Sequence, residues 1–326
     1  MLIVTVCLWI WLPTAVVQAA YDVTVVPQAG VDQSDATLPE TIAWYLQEAH
    51  TQGGGTIHLQ TGEYQLRKAL IIPNDTTLIG SSEGTILRAT GEKFFDHLIK
   101  NIHSDHPQSD GVKNITLTHL TLIGQRDVRL NCIQLVGSEA QRSNDIVLSD
   151  IITHHCGRHG IHIKGANKVV LQNVVSHHNG VNVDHDHNIY LLRVTDATMR
   201  NVYTYQAAGN GFSSTRLTDA TLYNITSIDN GRRGIRFGAG DHITVQNCTV
   251  RRNGLALDHQ ADGIVIVSDD FDNPSSDITI KHCSIARNRD HGIWVNSASR
   301  IRLHNNIISH NPAGDYSFLN STVSFY

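Results

Sequence analysis

The feature that most constrains this 326-residue chain is a strand pattern that repeats at a fixed period. Short runs of alternating apolar and polar residues each end in a polar residue, usually Asn. The end positions are His119, Asp150, Asn173, Asn201, Asn224, Asn247, His282 and Asn305. Four of the intervals between these ends are 23 residues, and the other three exceed that period by 8, 5 and 12 residues.

A second short strand follows about ten residues later in each unit and is opened by Gly or Asn. The opening residues are Gly160, Asn188, Gly211, Gly234, Gly263 and Gly292. Two short strands per unit at one period predict a solenoid in which every coil buries its apolar face against the next. Side-chain alternation then predicts one outward column on consecutive coils. Its members are His162, Tyr190, Ser213, Arg236, Val265 and Trp294.

The ends of the solenoid and its bends are predicted from local signals. Thr37 and Glu40 have the spacing of a capping box, and an apolar stripe follows, which predicts a short capping helix over residues 38–50. We predict that the Asn residues at the strand ends stack as a ladder that satisfies backbone groups at the bend. Cys248 and Cys283 follow this column in consecutive coils and are predicted to be free thiols in the core.

Residues 1–20 are predicted to be a signal peptide, because an apolar run ends in small residues, and residues 21–326 form the solenoid domain. A retained membrane anchor is the alternative.

Three glycosylation sequons fall at or beside strands, where an attached glycan would disrupt the fold. We therefore expect a bacterial secreted or periplasmic protein with no membrane contact after signal removal. The net charge of −5 argues against nucleic acid, and we expect a monomer.

The entry segment resembles that of the pectate-lyase-like superfamily. The matching stretches are GGGTIHLQTGEYQL at 53–66 and TTLIGSSEGTIL at 76–87. This resemblance implies an all-β fold, a single-stranded right-handed parallel β-helix with a short N-terminal capping helix. The superfamily includes polysaccharide lyases, uronan C5-epimerases, glycoside hydrolases and non-catalytic carbohydrate-binding solenoids, so the fold alone does not choose an activity.

Histidine and aspartate cluster between residues 153 and 190, where one coil carries five additional residues at about 180–184. Insertions in solenoids commonly build the binding face. The residues just before each strand-opening Gly or Asn form a second polar column beside the outward one. Its members are His159, His187, Asn210, Arg233, Asp262 and His291. The His, Tyr, Arg and Asp side chains of these two columns are the types needed to bind an acidic sugar chain and to remove a proton next to its carboxylate.

The candidate residues divide into two groups by expected role. The predicted catalytic residues are Tyr190, His187, Asp186, Arg236 and His162. In this hypothesis an arginine neutralises a uronate carboxylate, Tyr190 or a histidine moves the proton, and Asp186 orients a histidine. The predicted substrate-binding residues are His159, His185, Arg233, Asn210, Asp262 and Trp294.

This set is similar to the Tyr, Asp, His and Arg group of the mannuronan C5-epimerases. The segment Asp184-His185-Asp186-His187 departs from their Asp-Pro-His-Asp/Glu motif, because it lacks the proline and Tyr190 follows it. The sequence thus favours a polysaccharide lyase or C5-epimerase, with a non-catalytic glycan- or partner-binding solenoid as the alternative and a glycoside hydrolase as the second.

No metal or cofactor is predicted for this site. A metal ion at Asp184, His185 and His187 stays an alternative because imidazole and carboxylate suit zinc or copper. The acidic loop at 269–274 is interpreted as a solvated loop, with a bound calcium ion as the alternative because carboxylate oxygens are calcium ligands.

Overall fold

The computed structural model describes residues 21–91, 96–102, 104, 110–256, 260–269 and 273–326. In this part the chain forms one helix, α1 (Ile42–Thr51), and strands β1 to β25. The strands of the N-terminal half are β1 (Asp22–Val25), β2 (Gly55–Leu59), β3 (Gly62–Leu66), β4 (Leu70–Ile72), β5 (Thr76–Ile79), β6 (Thr85–Ala89), β7 (Ile99–Asn101), β8 (Lys113–Ile123), β9 (Ile133–Val136), β10 (Ser143–His154) and β11 (Ile161–His177). Those of the C-terminal half are β12 (Ile189–Tyr205), β13 (Phe212–Ile228), β14 (Ile235–Gly238), β15 (Asp241–Gln246), β16 (Thr249–Arg251), β17 (Ile264–Val267), β18 (Ser275–Lys281), β19 (Ser284–Ala286), β20 (His291–Asn296), β21 (Ala298–Ser299), β22 (Ile301–His304), β23 (Ile307–Ser309), β24 (Gly314–Leu319) and β25 (Val323–Phe325).

Neighbouring coils pair in parallel, each strand with the equivalent strand one coil later, as in β11 with β12 and β12 with β13. The long strands bend where single residues adopt left-handed backbone angles. In the coil of β11 these are Lys168, Asn173 and His178, five residues apart, with φ of 50°, 52° and 53°. Asn, Asp and His are the non-glycine residues most often found in that region. The prediction of a right-handed parallel β-helix is confirmed.

The core is a continuous column of apolar side chains inside the coils. The residue that follows each strand-opening Gly or Asn points inward and is fully buried. These residues are Ile161, Ile189, Phe212, Ile235, Ile264 and Ile293. Because alternation places their neighbours outside, the same backbone that buries the core fixes the side chains of the outer face.

The capping helix is present, but its predicted start is wrong. Helix α1 begins at Ile42, and the Thr41 side chain caps it by accepting a hydrogen bond from the N–H of Trp44 at 3.1 Å. Glu40 lies before the helix with φ of 64°, so the Thr37–Glu40 capping box does not form. Ile42, Leu46 and Ala49 are buried, and the helix packs on β2 and β4 at the N-terminal end of the solenoid.

The predicted asparagine ladder exists at the surface, where Asn224 donates to Asn201 at 2.8 Å and Asn201 donates to Asn173 at 2.9 Å. A second, buried ladder satisfies the backbone instead. The Asn253 side-chain oxygen accepts the N–H of Asn230 at 3.1 Å, and the same bond recurs in the following coils. The members of the buried ladder are Asn179, Asn230, Asn253, Asn288 and Asn311.

The expectation of free thiols is wrong, because the cysteines form two disulfides, Cys132–Cys156 and Cys248–Cys283. The Cα atoms of the two pairs are 5.7 and 4.4 Å apart. Cys248 and Cys283 occupy equivalent positions in consecutive coils, one strand spacing apart, which is within the range that a disulfide spans. Cys132 and Cys156 lie at different positions of the corresponding loops, before β9 and after β10. Each disulfide therefore joins one coil to the next.

The predicted signal peptide, residues 1–20, lies outside the described residues. Within them, no helix is both long enough and apolar enough to cross a membrane.

Candidate active site

The outward column predicted from the repeat is present, because each member pairs in register with the next. His162 pairs with Tyr190, Tyr190 with Ser213, and Ser213 with Arg236. Val265 and Trp294 continue the column. The alignment of the coils is therefore confirmed, and it places side chains from distant parts of the sequence on one face.

Members of this column and its neighbours line a groove of about 760 Å³. Eight of the predicted site residues line it, and these are His159, His185, His187, Tyr190, Asn210, Arg233, Arg236 and Trp294. They come from five coils, so the groove crosses the strands along the axis of the solenoid.

Asp186 has a different place from the one predicted for it. Its side chain is buried, and one carboxylate oxygen accepts the N–H groups of Val181 and Asn182 at 3.1 and 2.7 Å. The predicted contact with a histidine is replaced by these bonds to the backbone. Asp186 therefore holds the bulge at 180–184 in shape, while His185 stays exposed on it.

Asp262 and His162 also lie outside the groove lining. Asp262 is buried and accepts the backbone N–H of His291 at 3.1 Å, with the His291 ring at 3.0 Å. His162 stacks on Tyr190 with ring centroids 5.4 Å apart and planes 9° from parallel. His162 therefore supports Tyr190 from the side, whereas Asp262 holds His291, which lies outside the groove lining.

The second polar column is a chain of hydrogen bonds from backbone to side chain. The Nδ1 atom of His159 accepts the N–H of His187 at 3.0 Å, and the Nδ1 atom of His187 accepts the N–H of Asn210 at 3.2 Å. A backbone N–H can only donate, so Nδ1 of each ring carries the lone pair. The proton of each neutral ring is then on Nε2, and both histidines can donate a hydrogen bond but have no free lone pair.

Burial keeps these imidazoles neutral. Burial, with the nearby charge of Arg236, lowers the pKa of His187 to about 3. Burial also lowers the pKa of His162 to about 3 and that of His159 well below its usual range. At neutral pH they therefore act as uncharged hydrogen-bonding groups.

Tyr190 lies at the centre of this arrangement. Besides the stack on His162, its ring contacts those of His159 and His187, with centroids 5.3 and 5.5 Å away. The Tyr190 hydroxyl is 3.3 Å from the Thr215 hydroxyl. Three imidazoles thus fix the phenol ring, and its hydroxyl group lies in the groove beside a second hydroxyl.

The groove is strongly basic on one side of Tyr190. Arg233 is buried, and burial together with the charges of Arg232 and Arg236 lowers its pKa to about 9. Arg233 donates to the Gln260 side chain, and Arg232 pairs with Asp184 at 2.8 Å. Three guanidinium groups close together repel one another, which raises the electrostatic free energy of the groove when it holds no anion. A bound anion lowers that free energy by pairing with them.

Two more arginines in the lining, Arg129 and Arg158, were missed by sequence reasoning. Arg158 directly precedes His159, as Arg232 precedes Arg233, so the periodic spacing carried a signal that the prediction did not use. The Nε atoms of Arg158, Arg232 and Arg233 are buried without a hydrogen-bond partner in the part of the chain that the structure describes.

The groove carboxylates are engaged by arginines. Asp184 pairs with Arg232, and Asp269 pairs with Arg216 at 2.7 Å. A glycoside hydrolase, the second alternative above, needs two carboxylates that face each other across the groove. Asp186 and Asp262 are buried in the roles given above and do not line it. Asp184, His185 and His187 are also poor ligands for a metal ion in this arrangement. Asp184 is paired with Arg232, and Nδ1 of His187 already accepts a backbone N–H. Asp270 to Asp272 of the possible calcium loop lie outside the described residues.

The sequence matches the family described as "Right handed beta helix region" over residues 159–326, slightly more than half of the chain. The chain belongs to this right-handed β-helix family. No curated protein sequence matches it significantly.

Solved structures show the same β-helix in proteins of different kinds. The A-module of mannuronan C-5 epimerase AlgE4 from Azotobacter vinelandii is 17% identical, with 87% of this chain and 95% of that chain covered and a TM-score of 0.56. The surface adhesin PfbA of Streptococcus pneumoniae is 11% identical over 93% and 92%, with a TM-score of 0.58. Tailspike protein 2 of Escherichia coli O157:H7 bacteriophage CAB120 is 14% identical over 95% and 42%, with a TM-score of 0.66. At these identities the likeness shows the fold alone.

Proposed function

We propose that this β-helix protein is exported and binds an acidic polysaccharide in its groove, where it removes the C5 proton of a uronate. The observation that carries this proposal is the phenol of Tyr190, which is held by neutral imidazoles and lines the same groove as the guanidinium groups of Arg233 and Arg236. Two disulfides support export, because disulfides persist in oxidising compartments.

The C5 proton of a uronate becomes acidic when its carboxylate is neutralised. Arg236 and Arg233 supply positive charge, and the Nε2–H groups of His159 and His187 supply neutral donors whose tautomer is fixed by the backbone. Donors held in place need no reorganisation as charge develops on the carboxylate. Their role in this proposal is to stabilise that charge.

Tyr190 moves the proton in this proposal. Because Nδ1 of His159 and of His187 already accepts a backbone N–H, neither ring offers a lone pair. The base role predicted for His187 therefore passes to Tyr190, which acts as the phenolate after its hydroxyl proton has left to solvent. Elimination transfers the C5 proton to Tyr190, forms a C4–C5 double bond and breaks the C4–O4 bond, and the leaving oxygen takes a proton. His185, exposed on the bulge, is our candidate for that acid. Epimerisation returns a proton to the opposite face of C5.

The test is incubation of the purified protein with alginates, pectates and glycosaminoglycans. We expect either the absorbance of an unsaturated uronate, which reports elimination, or a changed uronate configuration in the proton NMR spectrum. If neither signal appears on any polymer that the protein binds, the catalytic part of the proposal is wrong.

A non-catalytic glycan-binding protein is the second candidate, and the excess of arginine in the groove favours it. A row of guanidinium groups binds a polyanion with no chemistry. In that case Tyr190→Phe leaves polymer affinity unchanged, no product forms with either protein, and affinity falls as salt is raised.

A further inference from the structure

Four histidines form an ordered array that does not belong to the groove lining. Strands β10 and β11 end at His154 and His177, and the next residues, His155 and His178, have left-handed φ angles of 57° and 53°. In an extended strand, successive side chains point to opposite faces. The bend brings both side chains of each pair to one side instead, so that Nδ1 of His154 lies 2.6 Å from Nδ1 of His155. The corresponding distance between His177 and His178 is 2.7 Å.

The two pairs are stacked one coil apart. The rings of His154 and His177 are 4.8 Å apart at 8°, and those of His155 and His178 are 5.4 Å apart at 7°. Tyr205 stacks on His177 at 4.5 Å and covers one end of the array. Since strand pairing fixes His154 opposite His177, the spacing of the pairs is set by the backbone.

The separation of the nitrogens within each pair indicates which ligand fits. Two nitrogens bound at about 2.0–2.1 Å are about 2.8–3.0 Å apart at a right angle and about 3.3–3.4 Å apart in a tetrahedron. At the observed separations of 2.6 and 2.7 Å the two Nδ1 atoms of each pair share a hydrogen bond. They need to move apart by only a few tenths of an ångström to reach the right angle of square-planar or tetragonal sites, and by more to reach a tetrahedron. Such geometry with nitrogen ligands is typical of Cu²⁺ and Ni²⁺, and of these Cu²⁺ is bound more tightly.

The protonation state and the surrounding charge agree with a borderline-soft cation. Burial, followed by the neighbouring imidazole, lowers the pKa of both His154 and His177 to about 4, so these rings are neutral at neutral pH. One Nδ1–H of each pair donates to the other Nδ1, and an ion that binds both Nδ1 atoms requires that proton to move to Nε2 of the same ring. Arg88 and Arg126 lie near enough to add to the shifts of His154 and His178. A cation here is therefore held by coordinate bonds rather than by negative charge, which disfavours calcium and magnesium.

We propose that the pairs His154–His155 and His177–His178 are two copper(II) sites, each completed by water. The sites are one coil apart, so the second ion binds more weakly because the two charges repel. This proposal is independent of the chemistry in the groove.

Calorimetric titration of tag-free full-length protein with Cu²⁺ near neutral pH tests it. We expect up to two ions per chain, tighter binding of Cu²⁺ than of Zn²⁺, and an electron paramagnetic resonance spectrum with nitrogen ligands and spin coupling between the ions. The double variant His155→Ala/His178→Ala is expected to lose affinity by roughly tenfold or more, since one imidazole remains per site. Added Cu²⁺ is expected to raise the melting temperature of the wild type but not of this variant.

Two further variants separate this site from other histidines. His282 and His304 also have neighbouring rings, 5.6 Å apart but at 84°, and the double variant His282→Ala/His304→Ala is expected to bind Cu²⁺ like the wild type. His242 lies with Asp241 and Asp277 in a group that could hold an ion. Loss of Cu²⁺ binding in His242→Ala, wild-type affinity in the His155/His178 variant, or tighter binding of Zn²⁺ would each overturn the proposal.

Discussion

His187 shows how one hydrogen bond changes what a side chain does. Its ring lies in a groove beside a candidate proton-transfer group, and its residue type suggests a base. The N–H of Asn210 occupies Nδ1, however, and burial lowers the pKa of the ring to about 3. The ring is therefore a neutral donor at physiological pH, and Tyr190 is left as the candidate for proton transfer.

Tyr190→Phe is the most direct test of that assignment. The variant keeps the ring stack on His162 but removes the hydroxyl group, so we expect turnover to fall by about 10²–10⁴ with little change in polymer affinity. Product formation and binding are measured on the polymer that gives a signal with the wild type. Tyr223→Phe is the matched control, because Tyr223 lies beside Arg200 outside the groove lining. Equal losses in the two variants would point to a general effect of removing a phenol.

The buried histidines predict a stability that depends on pH. In the unfolded chain His162 titrates near 6.5, whereas burial lowers its pKa in the folded protein to about 3. Between these pH values the unfolded state therefore binds more protons than the folded state. The contribution of the neutral His162 to the free energy of unfolding is fully present above pH 6.5 and is lost as the pH falls toward 3. His187 acts in the same direction.

His162→Phe isolates one of these contributions. The phenyl ring keeps the stack on Tyr190 but cannot take up a proton. We expect the difference in unfolding free energy between about pH 7.5 and about pH 5 to be smaller in this variant than in the wild type. Urea unfolding at the two pH values measures it, and an unchanged difference would mean that His162 titrates alike in both states.

At the scale of the element, two asparagine ladders with different physical roles run along the solenoid, six residues apart in each coil. The surface ladder joins exposed amides such as Asn224 and Asn201, whose hydrogen bonds compete with water. The buried ladder gives each coil an acceptor for a backbone N–H that water does not reach. An unsatisfied buried group costs more than an exposed hydrogen bond contributes, so the buried ladder matters more for stability.

Two matched substitutions test this difference. Asn253→Asp removes the donors to Ser227 and Asn288 and leaves a carboxylate among buried acceptors, so we expect a loss of about 3 kcal/mol or more in unfolding free energy. Asn224→Asp makes the same chemical change at the surface and is expected to alter it by no more than about 0.5 kcal/mol. Chemical denaturation of both proteins gives the comparison, and similar losses would contradict the distinction between the ladders.

At the scale of the whole molecule, the coils are joined by strand pairing and by two covalent links. We expect the natively produced protein, unfolded without reductant, to show no reactive thiol at its four paired cysteines. The double variant Cys248→Ala/Cys283→Ala is expected to lose about 2–4 kcal/mol of stability, because the open chain gains freedom when unfolded. Thiol labelling and denaturation measure the two effects. Labelling of four thiols would contradict the two disulfides and support the prediction of free cysteines.

The whole molecule also concentrates positive charge that its composition hides. The chain carries a net charge of −5, yet Arg129, Arg158, Arg232, Arg233 and Arg236 line one groove. They lie up to 107 positions apart in the sequence and come together because the coils place equivalent positions side by side. A local field of this kind attracts an acidic polymer even though the whole protein is acidic.

The sequence by itself determined the solenoid and its register. A 23-residue period and the alternation of side chains place Tyr190, Ser213 and Arg236 in one column, because strand geometry leaves a repeated pattern no other parallel arrangement. The same reasoning found eight of the residues that line the groove. Periodicity is a property of the chain, so it can be read without coordinates.

Only the tertiary structure decided what the side chains do in those positions. Asp186 accepts hydrogen bonds from the backbone of the bulge, and Nδ1 of His187 accepts the N–H of Asn210 from the next coil. Cys248 forms a disulfide with Cys283. Each outcome depends on distances of a few ångströms between neighbouring coils. Register specifies which residues are neighbours, but hydrogen bonding and burial, which decide protonation and pairing, are set by how the coils pack.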